Sequence, residues 1–376
     1  MFNKPRLLTP GPTPLPERVR LALAQDMIHH RKPGFKKILL ETETMLQKLF
    51  GTEQPVLPLS CSGTGAMTAA VHGLFLPGET VIVVNGGKFG ERWSKIAAVR
   101  GLKVVEIDVA WGQAVTPAQV EQALREHPEA KGVFMQVCET STAAQHPVEA
   151  IARLTRTREV LLVADGISAV GISPCPMDAW GIDCLLTGSQ KGLMVPPGMA
   201  LMALSARAWK RAESIPVSCF YFNLAGERDN LLKGQGLFTS PVNLIVGLHE
   251  SLSMLFEEGG LDALYRKQWA LTCMVRTGAL ALDLPLFAPT HYAWGVTSIM
   301  LPAGVDGQAA AQASSSISEA IVLAQSLPAV PAHSLIAAAK TAFISAHSIV
   351  LATAGVLLLL LAAGIWRSLA QAPKMN

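Results

Sequence analysis

Along most of the chain, short apolar runs alternate with stretches whose apolar residues recur every three or four positions. The runs at residues 81–84, 103–107, 132–137, 160–164, 184–187 and 200–204 read as strands. Most are too uniformly apolar to alternate, as expected of strands covered by helices on both faces. Amphipathic spacing predicts helices at 17–26, 35–50, 117–126 and 148–156. Strand and helix taking turns predict an α/β fold built on a mostly parallel sheet. Ahead of it, LLTPGPTPLP is a Pro/Gly-rich arm without regular structure. Beyond it, residues 244–282 read as one long helical stretch, and residues 291–302 as a strand opening a smaller α+β part.

Composition changes this picture at one end only. Of 376 residues, 50% are hydrophobic and 16% charged, an apolar average for a globular protein. The excess is local, because from residue 308 onward the only formal charges are Glu319, Lys340, Arg367 and Lys374. Residues 344–366 (ISAHSIVLATAGVLLLLLAAGIW) are 23 in a row without a formal charge. At about 1.5 Å per residue they reach across the roughly 30 Å hydrocarbon core of a bilayer, which predicts a transmembrane helix. Arg367 and Lys374 behind it favour a cytoplasmic C-terminus.

A net charge of +3 without basic runs argues against nucleic acid as a partner. The six cysteines are scattered with no CxxC pair, which argues against structural zinc or a disulfide framework and fits a reducing cytosol. The opening MFNKPRLLTPGPTP lacks the apolar segment of a secretion signal.

Five local patterns carry candidate chemistry. Ser62-Gly63-Thr64-Gly65-Ala66 follows an apolar run and opens a helix at Met67. Small residues at a helix N-terminus let backbone N–H groups approach an anion, although a plain N-cap gives the same pattern. Phe89, in NGGKFGERW just past a strand, offers a ring to a flat ligand or else simply fills the core. Glu139-Thr140-Ser141-Thr142 closes another strand, either as a set of hydroxyl donors or as an ordinary polar turn. Asp165 ends the run VLLVA and begins DGISAVG. Lys191, 26 residues later in LLTGSQKGLMVPPG, sits among Gly, Ser, Gln and apolar neighbours that would lower its pKa. All five fall at the carboxyl ends of predicted strands, where open α/β sheets bind ligands.

In this order and spacing, the five patterns resemble a class V, fold-type I pyridoxal-phosphate-dependent aminotransferase of the alanine– or serine–glyoxylate type. The resemblance implies that Lys191 carries pyridoxal 5′-phosphate as a Schiff base and serves as the catalytic base and acid. It implies cofactor-binding roles for Ser62, Gly63, Thr64, Phe89, Thr140, Asp165 and Gln190. FTSPV resembles the segment through which a partner subunit offers a hydroxyl, here Thr239, to the cofactor phosphate, so a homodimer with shared sites is implied. PGPTPLP with Gly11 and HHRKPGF with Arg31 resemble the arm and the substrate-side segment that follows it. The implied reaction moves an amino group from a small donor, alanine or serine, to glyoxylate or pyruvate. Cysteine desulfurases share this fold, but a His precedes their lysine where this chain has Gln190, and another His stands where this chain has Phe89.

The resemblance divides the chain into an arm (1–20), a large cofactor-binding domain (21–255), a truncated small domain (256–307), an Ala/Ser-rich helical segment (308–343), the transmembrane-like helix (344–366) and a tail (367–376). It covers about the first 307 residues; no arginine-bearing segment of the kind that binds substrate carboxylate in the family follows Asp306. Residues 314–366 instead resemble the last loop and last helix of a major facilitator multidrug transporter. Three readings follow: a cytoplasmic aminotransferase tethered to a membrane by its tail, a chimera that binds the cofactor without efficient turnover, and a membrane-anchored protein with no enzymatic role.

Overall fold

Apolar strands flanked by helices close into a layered sheet, described by a computed structural model for residues 7, 9–257 and 259–301. Residues Leu7–Met300 form one compact unit. Its elements are, in order, α1 (Glu17–Leu23), α2 (Pro33–Phe50), β1 (Val56–Leu59), α3 (Gly63–Leu74), β2 (Thr80–Asn85), α4 (Lys88–Arg100), β3 (Lys103–Asp108), α5 (Pro117–Glu126) and β4 (Gly132–Gln136). Then come β5 (Cys138–Glu139), β6 (Ala144–Gln145), α6 (Val148–Arg156), β7 (Leu161–Asp165), α7 (Met177–Trp180), β8 (Cys184–Gly188), β9 (Ala200–Leu204), α8 (Ala206–Ser214), α9 (Leu224–Leu231), α10 (Val242–Phe256) and α11 (Gly260–Ala281).

Seven strands form one sheet in the order β1-β9-β8-β7-β4-β2-β3. The five from β3 to β8 run parallel, while β9 pairs antiparallel with both β8 and β1. Every residue of β4, β7 and β8 is buried, which explains why their sequences do not alternate. Helices α3 and α4 lie on this sheet, α3 against β8 and β9 and α4 against β2, β3 and β4. Beneath them Phe75, Trp93 and Phe134 are fully buried, with ring centroids 5.0 Å apart in both adjacent pairs. Burying each such side chain contributes about 1.5–3 kcal/mol. A separate layer forms where α10 packs on α1 and α2.

From β2 the chain steps outward to β3, then returns to β4 and proceeds the other way through β7 to β8. The reversal opens a crevice beyond the carboxyl ends of β2 and β4, the place where doubly wound sheets take up ligands.

Several sequence expectations need correction. The stretch 244–282 is two helices, α10 and α11, parted near Gly259 and Gly260, both in left-handed backbone conformation (φ 94° and 66°) that ends helical hydrogen bonding. Among the described residues of 291–302 there is no sheet strand, only isolated bridges of Tyr292 to Ala144 and Ile299 to Leu286. Its backbone is bonded elsewhere: His291 O accepts from Gln145 N at 3.0 Å, Ala293 N donates to Ala143 O at 2.8 Å, and Trp294 O accepts from Gln268 and Thr272 side chains. The helix expected from Met67 begins at Gly63, and the first helix stops at Leu23 rather than residue 26. The expected transmembrane segment 344–366 lies outside the described residues; among those described, no helix is long and apolar enough to cross a membrane.

Candidate active site

Because β4, β7 and β8 are parallel neighbours in register, their last residues arrive at one edge. Asp165 closes β7 opposite Leu186 of β8, and Gln136 of β4 pairs with Asp165. Lys191 follows three residues beyond β8 in a tight turn. Its side chain is 9% exposed. Nζ donates to the Pro10 carbonyl at 2.9 Å, its one hydrogen bond among the described residues. Burial pushes this amine below the ordinary lysine range, opposed in part by the nearby Cys138 and Asp165.

The N-terminal arm is laid over this lysine. Thr13 N–H donates to Gln190 O at 3.0 Å, and the Thr13 hydroxyl donates to Lys191 O at 3.0 Å. A Cβ on Gly11 would stand 2.6–2.8 Å from Cδ, Cε and Nζ of Lys191, so a larger residue there would displace the end of the lysine side chain.

Asp165 is 3% exposed, and its Oδ1 accepts from Ile167 N–H at 2.8 Å. Burial raises its carboxyl to about 7, with Glu139 adding to the rise and the Ile167 N–H, Arg92 and Lys191 opposing it. A carboxylate held this way lacks a strong cationic partner, and a protonated ring nitrogen would be one.

Thr140 shares a 2.7 Å hydrogen bond with the hydroxyl of Ser168, in the turn after β7. Its neighbour Glu139 is fully buried and caps α4. The carboxylate accepts from the N–H groups of Phe89 (3.2 Å), Gly90 (3.0 Å) and Ser141 (3.1 Å) and from the Ser141 hydroxyl (2.5 Å). An anion at a helix N-terminus satisfies donors that have no partner inside the helix. That cap fixes Phe89 at the start of α4, beside the crevice between β2 and β4.

Ser62 is the N-cap of α3, its Oγ accepting from Gly65 N–H at 3.3 Å. Gly63 and Thr64 occupy the first turn rather than a preceding loop. Arg92 Nη1 donates to Thr64 Oγ1 at 3.0 Å while its guanidinium carbon lies 4.9 Å from the Phe89 ring centroid. The side-chain Oε1 of Gln190 is buried without a hydrogen-bond partner.

Two expected residues stand apart. Thr239 lines an open cleft of about 490 Å³ with Met27, His29, His30 and Asn243, and none of the residues around Lys191 line it. Arg31 is exposed, and its Nη1 donates to Gln235 Oε1 at 3.1 Å. Sequence reasoning passed over Thr13, Arg92, Glu139 as a cap, and Ser168. All four lie inside the motif-bearing segments of the sequence, but only the fold shows what they touch.

These residues fit pyridoxal phosphate. A buried carboxylate lacks a cation, a buried amide oxygen lacks a donor, a helix N-terminus offers N–H groups, and a buried amine has its pKa lowered.

Residues 13–347 match the family described as Aminotransferase class-V, and the chain belongs to this family. It is an aminotransferase with the fold-type I architecture that its family shares. The match continues beyond Gly307, so the family likeness does not end there as the sequence reading expected. The chain is 35% identical to the small subunit of the soluble hydrogenase of Synechococcus sp., over 82% of this chain and 81% of that one. It is 32% identical to the serine–glyoxylate aminotransferase of Methylorubrum extorquens, over 80% and 77%. The crystal structure of an alanine–glyoxylate aminotransferase from Nostoc sp. superposes with a TM-score of 0.78 at 29% identity, covering 83% of this chain and 84% of that one.

Proposed function

We propose that this aminotransferase takes the amino group of a small amino acid of the alanine or serine type and delivers it to glyoxylate or pyruvate, with Lys191 as the proton-transferring amine. The observation that carries this reading is the pairing of a buried, pKa-lowered Lys191 with a buried Asp165 at adjoining strand ends. Relatives named for serine–glyoxylate and alanine–glyoxylate transfer support the substrate class.

Pyridoxal phosphate, when bound, supplies an electron-withdrawing ring that makes the α-proton of an amino acid removable. Lys191 Nζ takes that proton and returns it, a role that needs a neutral amine near neutral pH; burial moves the group in that direction. The Asp165 carboxylate holds a proton on the ring nitrogen. Phe89 provides a flat apolar face, and Thr140 a hydroxyl oriented by Ser168. Ser62, Gly63 and Thr64 at the start of α3, with Gln190, hold the phosphate. Thr239 serves the phosphate of a second subunit, in keeping with its place in a cleft separate from Lys191. Gly11 lets the arm cover the lysine and limits water there.

Purified full-length protein supplied with pyridoxal phosphate, alanine or serine, and glyoxylate or pyruvate is expected to form glycine or alanine with the matching keto acid. Cofactor colour with no turnover on any pair would instead favour a binding protein without catalysis.

The 23 uncharged residues 344–366 favour a second element of this reading, attachment to a membrane through that segment. Full-length protein expressed in cells is then expected to sediment with membranes after a high-salt, alkaline wash, and a variant ending at residue 343 to stay in the supernatant. Both proteins in the supernatant would remove the tether from the proposal.

A further inference from the structure

Helix α3 carries two threonines one turn apart, and their hydroxyls are used differently. Thr68 donates to the carbonyl of Thr64 at 3.0 Å, the usual outlet for a threonine inside a helix. Thr64 stands in the first turn, where the residue four positions back, Ser60, lies outside the helix and no helical carbonyl is available to it. Thr64 Oγ1 instead accepts from Arg92 Nη1 at 3.0 Å. A hydroxyl whose oxygen is engaged by a cationic donor keeps its own O–H to give away. Among the described residues, Thr64 O–H has no acceptor, and it sits at the open N-terminus of a 12-residue helix.

Arg92 is held in place by its surroundings. It lies one helical turn beyond Phe89 on α4, so its guanidinium rests over that ring at 4.9 Å. The neighbouring Glu91 is taken up by Lys88 and Lys95, at 3.3 Å and 2.5 Å. No carboxylate forms an ion pair with Arg92 among the described residues, and its charge acts at longer range on Asp165. One planar group therefore touches the turn that would hold the phosphate and the ring that would support the pyridine. Lysine could not do both, because an ammonium has neither a flat face nor a rigid fork of donors.

We propose that Arg92 is a positioning residue for the cofactor: it polarises and aims the Thr64 hydroxyl at the phosphate and locks the Phe89 ring in register with it. This rests on the reading that the site takes pyridoxal phosphate. The consequence is energetic coupling between Arg92 and Thr64, residues 28 apart in sequence on different helices.

The test is a double-mutant cycle on cofactor-free full-length protein, using wild type, Arg92→Gln, Arg92→Lys, Thr64→Val and the double variants. Dissociation constants are measured for pyridoxal phosphate, inorganic phosphate and pyridoxal, with melting temperatures as a check on folding. Arg92→Gln is expected to weaken pyridoxal phosphate and inorganic phosphate about tenfold, the scale of a lost charge-assisted hydrogen bond, and pyridoxal less. Adding Thr64→Val to Arg92→Gln should cost little more than either change alone. Arg92→Lys should restore only part of the loss; should Arg92→Gln fail to fold, the Lys variant carries the same cycle. Additive effects, or an unchanged affinity in Arg92 variants of a protein that binds the cofactor, would overturn the positioning role alone. If wild-type protein binds no pyridoxal phosphate, the cofactor reading falls and this inference with it.

Discussion

Replacing Lys191 with alanine is expected to abolish both turnover and the visible absorbance of the lysine-bound cofactor. The amine is the only group among the described residues placed to bond the cofactor covalently and to carry a proton between its neighbours. It is buried, its pKa is lowered, and a single carbonyl holds it. Removing a positioned proton-transfer group costs roughly 10²–10⁴-fold in rate. Loss of the covalent link adds a spectroscopic signature independent of any substrate. The substitution shortens a side chain at the edge of the core, so the fold should persist and phosphate should still bind. An unchanged absorbance band in the alanine variant would show that another residue holds the cofactor.

The second large effect is expected at Asp165, and its sign in stability is opposite to its sign in catalysis. Burial holds this carboxyl at about 7, well above the ordinary 3.8. Between those values the folded protein keeps a proton that the unfolded chain has released. Stability of the cofactor-free protein therefore falls as pH rises from about 4 to about 7. The full span corresponds to at most about 4 kcal/mol. Asp165→Asn removes the penalty while its Oδ1 can still accept from Ile167 N–H. The cofactor-free variant should melt above wild type at pH 8, and the two should converge near pH 4. Catalysis should move the other way, by roughly 10²–10³-fold, the cost of losing one preorganised electrostatic partner. Melting curves across pH and steady-state rates on the same preparations check both halves. A variant that melts below wild type at pH 8 would contradict the burial argument.

How much of this was legible beforehand depended on whether the determinant was local. Helices α5 and α6 begin and end where their spacing places them. For α5 the reason is visible in the sequence, a Thr116/Gln119 capping box and Pro117 at the first helical position. The interior strands were legible because burial on both faces leaves a continuous apolar run. β1 was only an apolar run in the sequence, because its role depends on antiparallel pairing with β9, some 140 residues away. The break between α10 and α11 lay in a Gly-Gly pair inside a long apolar periodicity, and the periodicity outweighed it. Residues 291–301 had a strand's composition, yet their backbone groups found partners in loops and in the side chains of α11. The site followed the same rule. Lys191, Asp165 and Thr140 could be singled out because each stands at the end of a recognisable strand. Arg92 and Ser168 act through contacts with residues 28 positions away in each case, which no local pattern reports.

The arm over Lys191 also constrains the order in which this site can come into being. Pro10 and Lys191 are separated by 181 positions, and six of the seven strands of the main sheet are made between them. Closing a contact of that span is slow and has to wait for the structure that brings its ends together. During synthesis the segment holding Pro10, Gly11 and Thr13 leaves the ribosome long before the lysine it will cover. When the lysine leaves the ribosome, six of those seven strands have been synthesised. The seal over the amine depends on the strands made between its two ends, and its few hydrogen bonds make it a place of low local stability.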